Sequence, residues 1–499
     1  MKDATQRSGL FEFTRWEMAR MSLMVALFLS WAPALARGLD YQVRYATPGD
    51  ASVHVRITLP QELDGPRPLV FPRAIPMGYG EQPYDRFVLN MRAFSGTGER
   101  IPCLRIEGPR WVIGSQESKL KSLEYDVDIA RMEREILSGA DSSKVRKGYA
   151  GLLGYSIFGF IEGTERLTIN LSVGAPEGWP VFSTLAPREF PSEGRCAAQA
   201  RDFYALADSQ ILMGPDLRVR KLDAGVPLFL ALYGEAQTDA DILANTVGEA
   251  FSAVASYFEK VPFPHYTVCQ EYLRPLSDKH EYGFSMEHLE SGTFFFAVEQ
   301  ALSDRATPDE LARARYNFAH HIAHAWIPKR SAGEGYFPFR WERAPIIDSV
   351  WFSEGFPQYA AIAALAATMP EAEAQNYRER MLEIRFRTTL REAPEFIRRL
   401  SLIGLSRLAS TRYSEDFRIG RSVFSRGGLM AAEMDERIRK ESGGRKSLRD
   451  ALRYLVDWSA RSGRAFRIEE LPSIIAQATG VETRDIMARW MPAPDRQEH

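Results

Sequence analysis

The spacing of hydrophobic side chains changes near residue 205, and that change divides the chain. Val53, Val55, Ile57 and Leu59 alternate with polar neighbours; so do Leu123, Tyr125, Val127 and Ile129, and again Leu167, Ile169, Leu171 and Val173. Successive side chains of a strand point to opposite faces, so a period of two buries one face only. One-sided strands suit antiparallel sheets, which leaves residues 37–205 as an antiparallel β domain. After "VPLFLALYG" (226–234) the repeat lengthens: Leu243, Val247, Phe251, Val254 and Phe258 recur at helical spacing, and "KVPFPHY" (260–266) closes that helix.

A strand-like stretch from Tyr266 to Leu273 comes next, and then a helix whose start is written in the sequence. Thr307 is its N-cap, Pro308 takes the first helical position and Glu310 stands three after the cap. The pattern predicts a helix to about Trp326, stopped by Pro328. Beyond residue 370 the chain reads as mostly helical, with one helix stopping at Gly443-Gly444 and another capped by Ser447 and Asp450. The fold class is therefore α+β and multidomain: a β domain over 37–205, a mixed domain over 206–375 and a C-terminal α-helical domain over 376–499. No repeat or flexible linker separates them.

At the N-terminus, Arg15 and Arg20 precede the apolar run "MSLMVALFLSWAPALA" (21–36), which ends in a small-x-small triplet. Residues 1–36 read as a signal peptide. Pro33 and the short core argue against an uncleaved span, which needs about 20 apolar residues. The expectation is an exported, periplasmic protein with no stable membrane span once the signal is removed. Cys103, Cys196 and Cys269 allow at most one bridge, so disulfides do not build this fold. A net charge of −2 gives no basic footprint for phosphate backbones, which excludes nucleic acid as the expected partner.

"HHIAHAW" (320–326) places His320, His321 and His324 within one helical turn and a half. Residues four apart share a helix face, so His320 and His324 can chelate one ion. His321, about 100° further round the helix, points beside such an ion. Neutral imidazoles suit zinc, and a catalytic zinc wants a third protein ligand with a fourth position open. Glu354, alone in the apolar stretch "SVWFSEGFPQYAAIAA" (349–364), is one candidate, because a buried carboxylate needs compensation. Glu342, in "RWERAP", is the rival, and spacing alone does not choose between them.

"HHIAHAWIPKR", then "WFSEGFPQY", preceded by "YGFSMEHLESGTFFF" (282–296), resembles the glycyl aminopeptidase family of zinc metallopeptidases, relatives of the alanyl aminopeptidases. Trp326, Lys329 and Arg330 stand in matching places, and the separation of His324 from Glu354 agrees. The resemblance implies a thermolysin-like zinc-helix domain over 206–375 between the β and helical parts, without the PDZ domain many members carry. It implies Zn2+ held by His320, His324 and Glu354, and Glu287 holding the free amino group at a peptide or protein N-terminus.

Three positions depart from that pattern. His321 stands where the family has the glutamate that takes a proton from the attacking water and delivers it to the leaving amine. Phe424, in "SVFSRGGLMAAEM" (422–434), stands where a tyrosine hydroxyl donates to the oxyanion, with Arg426 in place of a lysine. Ser285 replaces a glycine and narrows the amine pocket. The resemblance with these changes implies a zinc-binding pseudo-peptidase that binds peptides and turns them over poorly or not at all. The alternative is a working aminopeptidase with His321 as base and Tyr413 or another group supplying the hydroxyl, and a further option makes His321 an extra metal ligand.

Overall fold

The computed structural model describes residues 38–413 and 415–492. The signal-peptide reading of residues 1–36 lies outside the described residues. Among the described residues no helix is long and apolar enough to cross a membrane.

The N-terminal part is built on a seven-stranded sheet in the order 195–200, 169–174, 39–44, 52–64, 119–128, 88–94 and 100–101. Alternation sets which face is buried: Val53, Val55, Ile57 and Leu59 are buried, as are Leu123, Tyr125 and Val127. Three details differ from the sequence reading. Ile129 does not continue the strand of Leu123, Tyr125 and Val127 but opens the helix Ile129–Glu135, capped by the Asp128 carboxylate. Leu39–Arg44 runs parallel to Ile169–Gly174, while the other pairs of this sheet are antiparallel. Leu167 is exposed because it closes a turn on the Thr164 carbonyl just before that strand begins. A five-stranded and a four-stranded sheet complete this part, and its apolar residues form their own core.

A second five-stranded sheet follows, in the order 218–223, 227–234, 266–273, 291–297 and 284–287. Its three middle strands are parallel, with the helix Ala240–Phe258 lying between the first two along the chain. Phe284–Glu287 folds back antiparallel as an edge strand, so its outer backbone is free to face a cleft. The histidine helix spans Pro308–Ala323 and begins with the full Thr307–Glu310 capping box. It ends at Ala323 rather than near Trp326. Pro328 disfavours helical backbone in the residue before it, and the last amides tighten onto carbonyls three back, Ala325 onto Ile322 and Trp326 onto Ala323.

The remaining helices share one continuous apolar core with this sheet. Ser447 and Asp450 form a second capping box, and Gly443 and Gly444 both take positive φ at the preceding helix end. The crossing that matters for function lies between Val350–Ala366 and Phe417–Glu441. A Cβ on Gly355 would fall 2.4 Å from the Gly427 carbonyl carbon, and one on Gly427 1.9 Å from the Trp351 carbonyl oxygen. Only glycine lets the two backbones touch there. That contact fixes the turn carrying Glu354 against the turn carrying Phe424.

Candidate active site

Phe318, Ile322 and Ala325 anchor the histidine helix in the core, with Leu311 packed against its margin. The adjacent edge of the helix presents the histidines. His324 is fully buried, and its Nδ1 lies 2.9 Å from the Ile327 carbonyl oxygen. A carbonyl only accepts, so Nδ1 carries the hydrogen and Nε2 is aimed inward. That Nε2 lies 2.9 Å from Nε2 of His320, and each is 3.5 Å from Oε2 of Glu354.

Charges follow from these contacts. Burial opposes charge on His324, yet the carboxylates of Glu287 and Glu354 and the Ile327 carbonyl raise its pKa to about 9. Burial lowers His320 to about 3 against the pull of Glu354. Burial works against ionisation of Glu354, but the His324 charge and the two imidazoles beside it bring it to about 2. The trio is thus a cationic His324 donating to a neutral His320, beside an ionised carboxylate. Ligands about 2.1 Å from a tetrahedral zinc stand roughly 3.4 Å apart. Both histidine-to-glutamate edges have that length, and the shorter edge is the one bridged by a proton that a metal would displace. The residues fit zinc in donor type and spacing.

Glu342 is elsewhere: it pairs with Arg110 through bonds of 2.8 and 2.5 Å. His321 lies beside the trio, its ring edge-on to Phe294 and its Nδ1 3.8 Å from Oε2 of Glu287. This is an ion-pair distance, and Nδ1 has no hydrogen-bond partner. Burial lowers the pKa of His321, with Glu287 pulling the other way. Glu287, at the end of the edge strand, is held far below the usual carboxylate range: burial raises it, but His324, His321 and Lys329 outweigh burial. Ser285, on the same strand, accepts a bond from Asn317 of the histidine helix at 3.1 Å.

Phe424 brings no hydroxyl to this site. Its ring packs at 5.7 Å against Tyr413 and at 6.5 Å against Tyr79. Arg426 points away, donating to the carbonyls of Leu400, Trp490 and Pro492, so the charge retained at that position does not serve the site. His320, His321, Glu354, Glu287, Ser285 and Phe424 all line one cleft of about 540 Å³, with Tyr413 and Tyr79 beside them.

Sequence reasoning missed two supports. His288 is buried and bonded through Nδ1 to Asp208 at 2.9 Å, a link from just before the strand Gln210–Met213 that fixes the strand end carrying Glu287. Tyr79, flanked by glycines in the β domain, reaches Tyr336 with its hydroxyl at 3.3 Å. The "MGYG" run around Tyr79 was the only local signal. The arrangement offers a buried trio whose donors could hold a metal, a carboxylate that can hold an ammonium, and a neutral imidazole between them.

Residues 40–215 match the Peptidase M61 N-terminal domain. No curated protein sequence matches the chain. Among solved structures it resembles an aminopeptidase N family protein from Idiomarina loihiensis, with TM-score 0.79 and 19% identity over 92% of this chain and 76% of that one. It also resembles an M1 zinc metallopeptidase from Deinococcus radiodurans, with TM-score 0.53 and 15% identity over 93% of this chain and 96% of that one. A mutant of the latter has been solved bound to a Tyr-Ser-Ala substrate, with TM-score 0.52 and 15% identity over 93% of this chain and 96% of that one. The chain therefore has an N-terminal domain of the M61 peptidase kind on an aminopeptidase-like scaffold.

Proposed function

We propose that this is an exported zinc-binding protein of the glycyl aminopeptidase type that holds the free amino end of peptides and hydrolyses them poorly or not at all. The observation that carries the reading is His321, an imidazole turned toward Glu287 at the position of the expected base. His320, His324 and Glu354 would hold the metal, which when bound supplies a Lewis acid to polarise a peptide carbonyl. Glu287, ionised and buried, accepts charge-assisted hydrogen bonds from a substrate ammonium. Ser285, tied to Asn317, narrows the approach to that carboxylate.

The proton transfers are where the site falls short. A general base must take a proton from water and hand it to the leaving amine. A proton taken up on His321 would face Glu287 and be stabilised there, in the amine pocket, instead of being passed on. Loss of a positioned base costs roughly 100- to 10,000-fold, and loss of an oxyanion donor roughly 100- to 1,000-fold. Export rests on the segment over residues 21–36.

Tyr413 favours a second reading. Its ring is stacked on Phe424 and lines the cleft within the field of Glu354 and Glu287, so its hydroxyl could stand in for the absent one. His321 would then be the base of a slow aminopeptidase. Hydrolysis of glycyl and alanyl reporters by the zinc-loaded chain separates the two. The expected result is turnover no higher than that of the His324→Ala variant; turnover that this substitution abolishes would establish the working enzyme.

A further inference from the structure

Three arginines on the walls of the cleft stand apart from its acids. Arg313 from the histidine helix, Arg385 from the wide turn Glu383–Arg387 and Arg421 from the helix Phe417–Glu441 all line it. Among the described residues none of the three has a carboxylate partner. Several arginines on the same elements that face elsewhere do: Arg315 pairs with Glu249, Arg387 with Glu379 and Arg418 with Asp416. Five acids also line the cleft: Glu287 and Glu354 of the histidine site, Asp141, which accepts a bond from Gln82, and the pair Glu310 and Glu299. Glu310 is engaged by the amide and hydroxyl of Thr307, and Glu299 is exposed at the rim.

Arg385 is the best placed of the three. Its guanidinium lies 4.5 Å over the Tyr316 ring, whose own face stacks at 6.4 Å on His320. The aromatic face orients the arginine while leaving its N–H donors free. A turn of the wide kind shifts side chains off the helical register, and here Phe386 fills the space over Gly428 while Arg385 is directed to the cleft.

We propose that this arginine wall, Arg385 first, binds the C-terminal carboxylate of a short peptide whose amino end lies at Glu287. The proposal rests on the amino-end reading above and adds a ligand class: free short peptides in preference to the amino ends of long chains. A planar guanidinium matches a carboxylate through paired bonds, and each extended residue spans about 3.3–3.6 Å, so peptide length is set by the distance between the two charged ends. A carboxylate could equally come from an acidic side chain, which the test separates.

The test measures binding of Ala-Ala-Ala, its C-terminal amide, Ala-Glu-Ala amide and N-acetyl-Ala-Ala-Ala to the zinc-loaded full chain, as Kd, or as KM if the peptide is turned over. The free acid is expected to bind roughly 10- to 100-fold more tightly than its amide. Arg385→Gln should collapse that difference, Arg385→Lys should restore part of it, and Arg421→Gln should reduce it. Equal affinity of acid and amide overturns the arginine wall and leaves the amino-end reading intact. Full recovery by Ala-Glu-Ala amide assigns the wall to an acidic side chain and overturns selection for a free C-terminus. Unweakened binding of the acetylated peptide removes the amino-end reading and leaves the wall standing. The acid-to-amide comparison needs no variant, so it holds even if a substitution at Arg385 impairs folding.

Discussion

Joint replacement of His321→Glu and Phe424→Tyr is expected to raise kcat/KM for glycyl and alanyl reporters at least about 100-fold over the parent chain. The first change places a carboxylate on the face beside His320, His324 and Glu354. The second adds a hydroxyl to a ring already packed between Tyr79 and Tyr413. A base is worth roughly 100- to 10,000-fold and an oxyanion donor roughly 100- to 1,000-fold. Groups that act as a unit are not additive, so each single change should recover little and the pair most of the rate. Neither site forbids the exchange: His321 is only partly buried, and Phe424 lines open cleft. A folded, zinc-loaded double variant that stays silent would mean that the scaffold lacks something besides these two groups.

Zinc affinity is expected to rise about tenfold per pH unit from pH 6 toward pH 9. The sign follows from the three ligands. His324 is raised to about 9 and so carries a proton across this range, which the metal must displace. His320, lowered to about 3, is already neutral, and Glu354, lowered to about 2, is already ionised. One proton is therefore released per zinc bound below pH 9, and the slope flattens above it. Calorimetry in buffers of different ionisation enthalpy counts that proton directly. Release of two protons, or of none, would mean that the ligand set or its charge state is other than His320, His324 and Glu354 as described.

Features set by neighbours along the chain were legible in the sequence. Both capping boxes, Thr307 with Glu310 and Ser447 with Asp450, join residues three apart, and the alternating strands show their buried face by period alone. The parallel pairing of Leu39–Arg44 with Ile169–Gly174 was not legible, because a strand alternates in the same way whichever direction its partner runs. The premature end of the histidine helix depends on how Pro328 and the Ile327 carbonyl meet His324, a tertiary detail. Within the site, the four-residue spacing brought His320 and His324 together, and the lone carboxylate in an apolar helix pointed to Glu354. The Asp208–His288 and Tyr79–Tyr336 contacts join residues far apart in the chain and left no periodic trace. Arg426 shows the limit most sharply: its type was legible, but its direction is fixed by three carbonyls that only the fold brings near.

The account stands most directly on metal analysis of the purified full chain. It predicts one zinc per chain in the parent and in His321→Glu, with loss of zinc in His324→Ala and in Glu354→Gln. A parent chain without stoichiometric zinc, or a His324→Ala variant that keeps it, would contradict the site on which the proposed function is built.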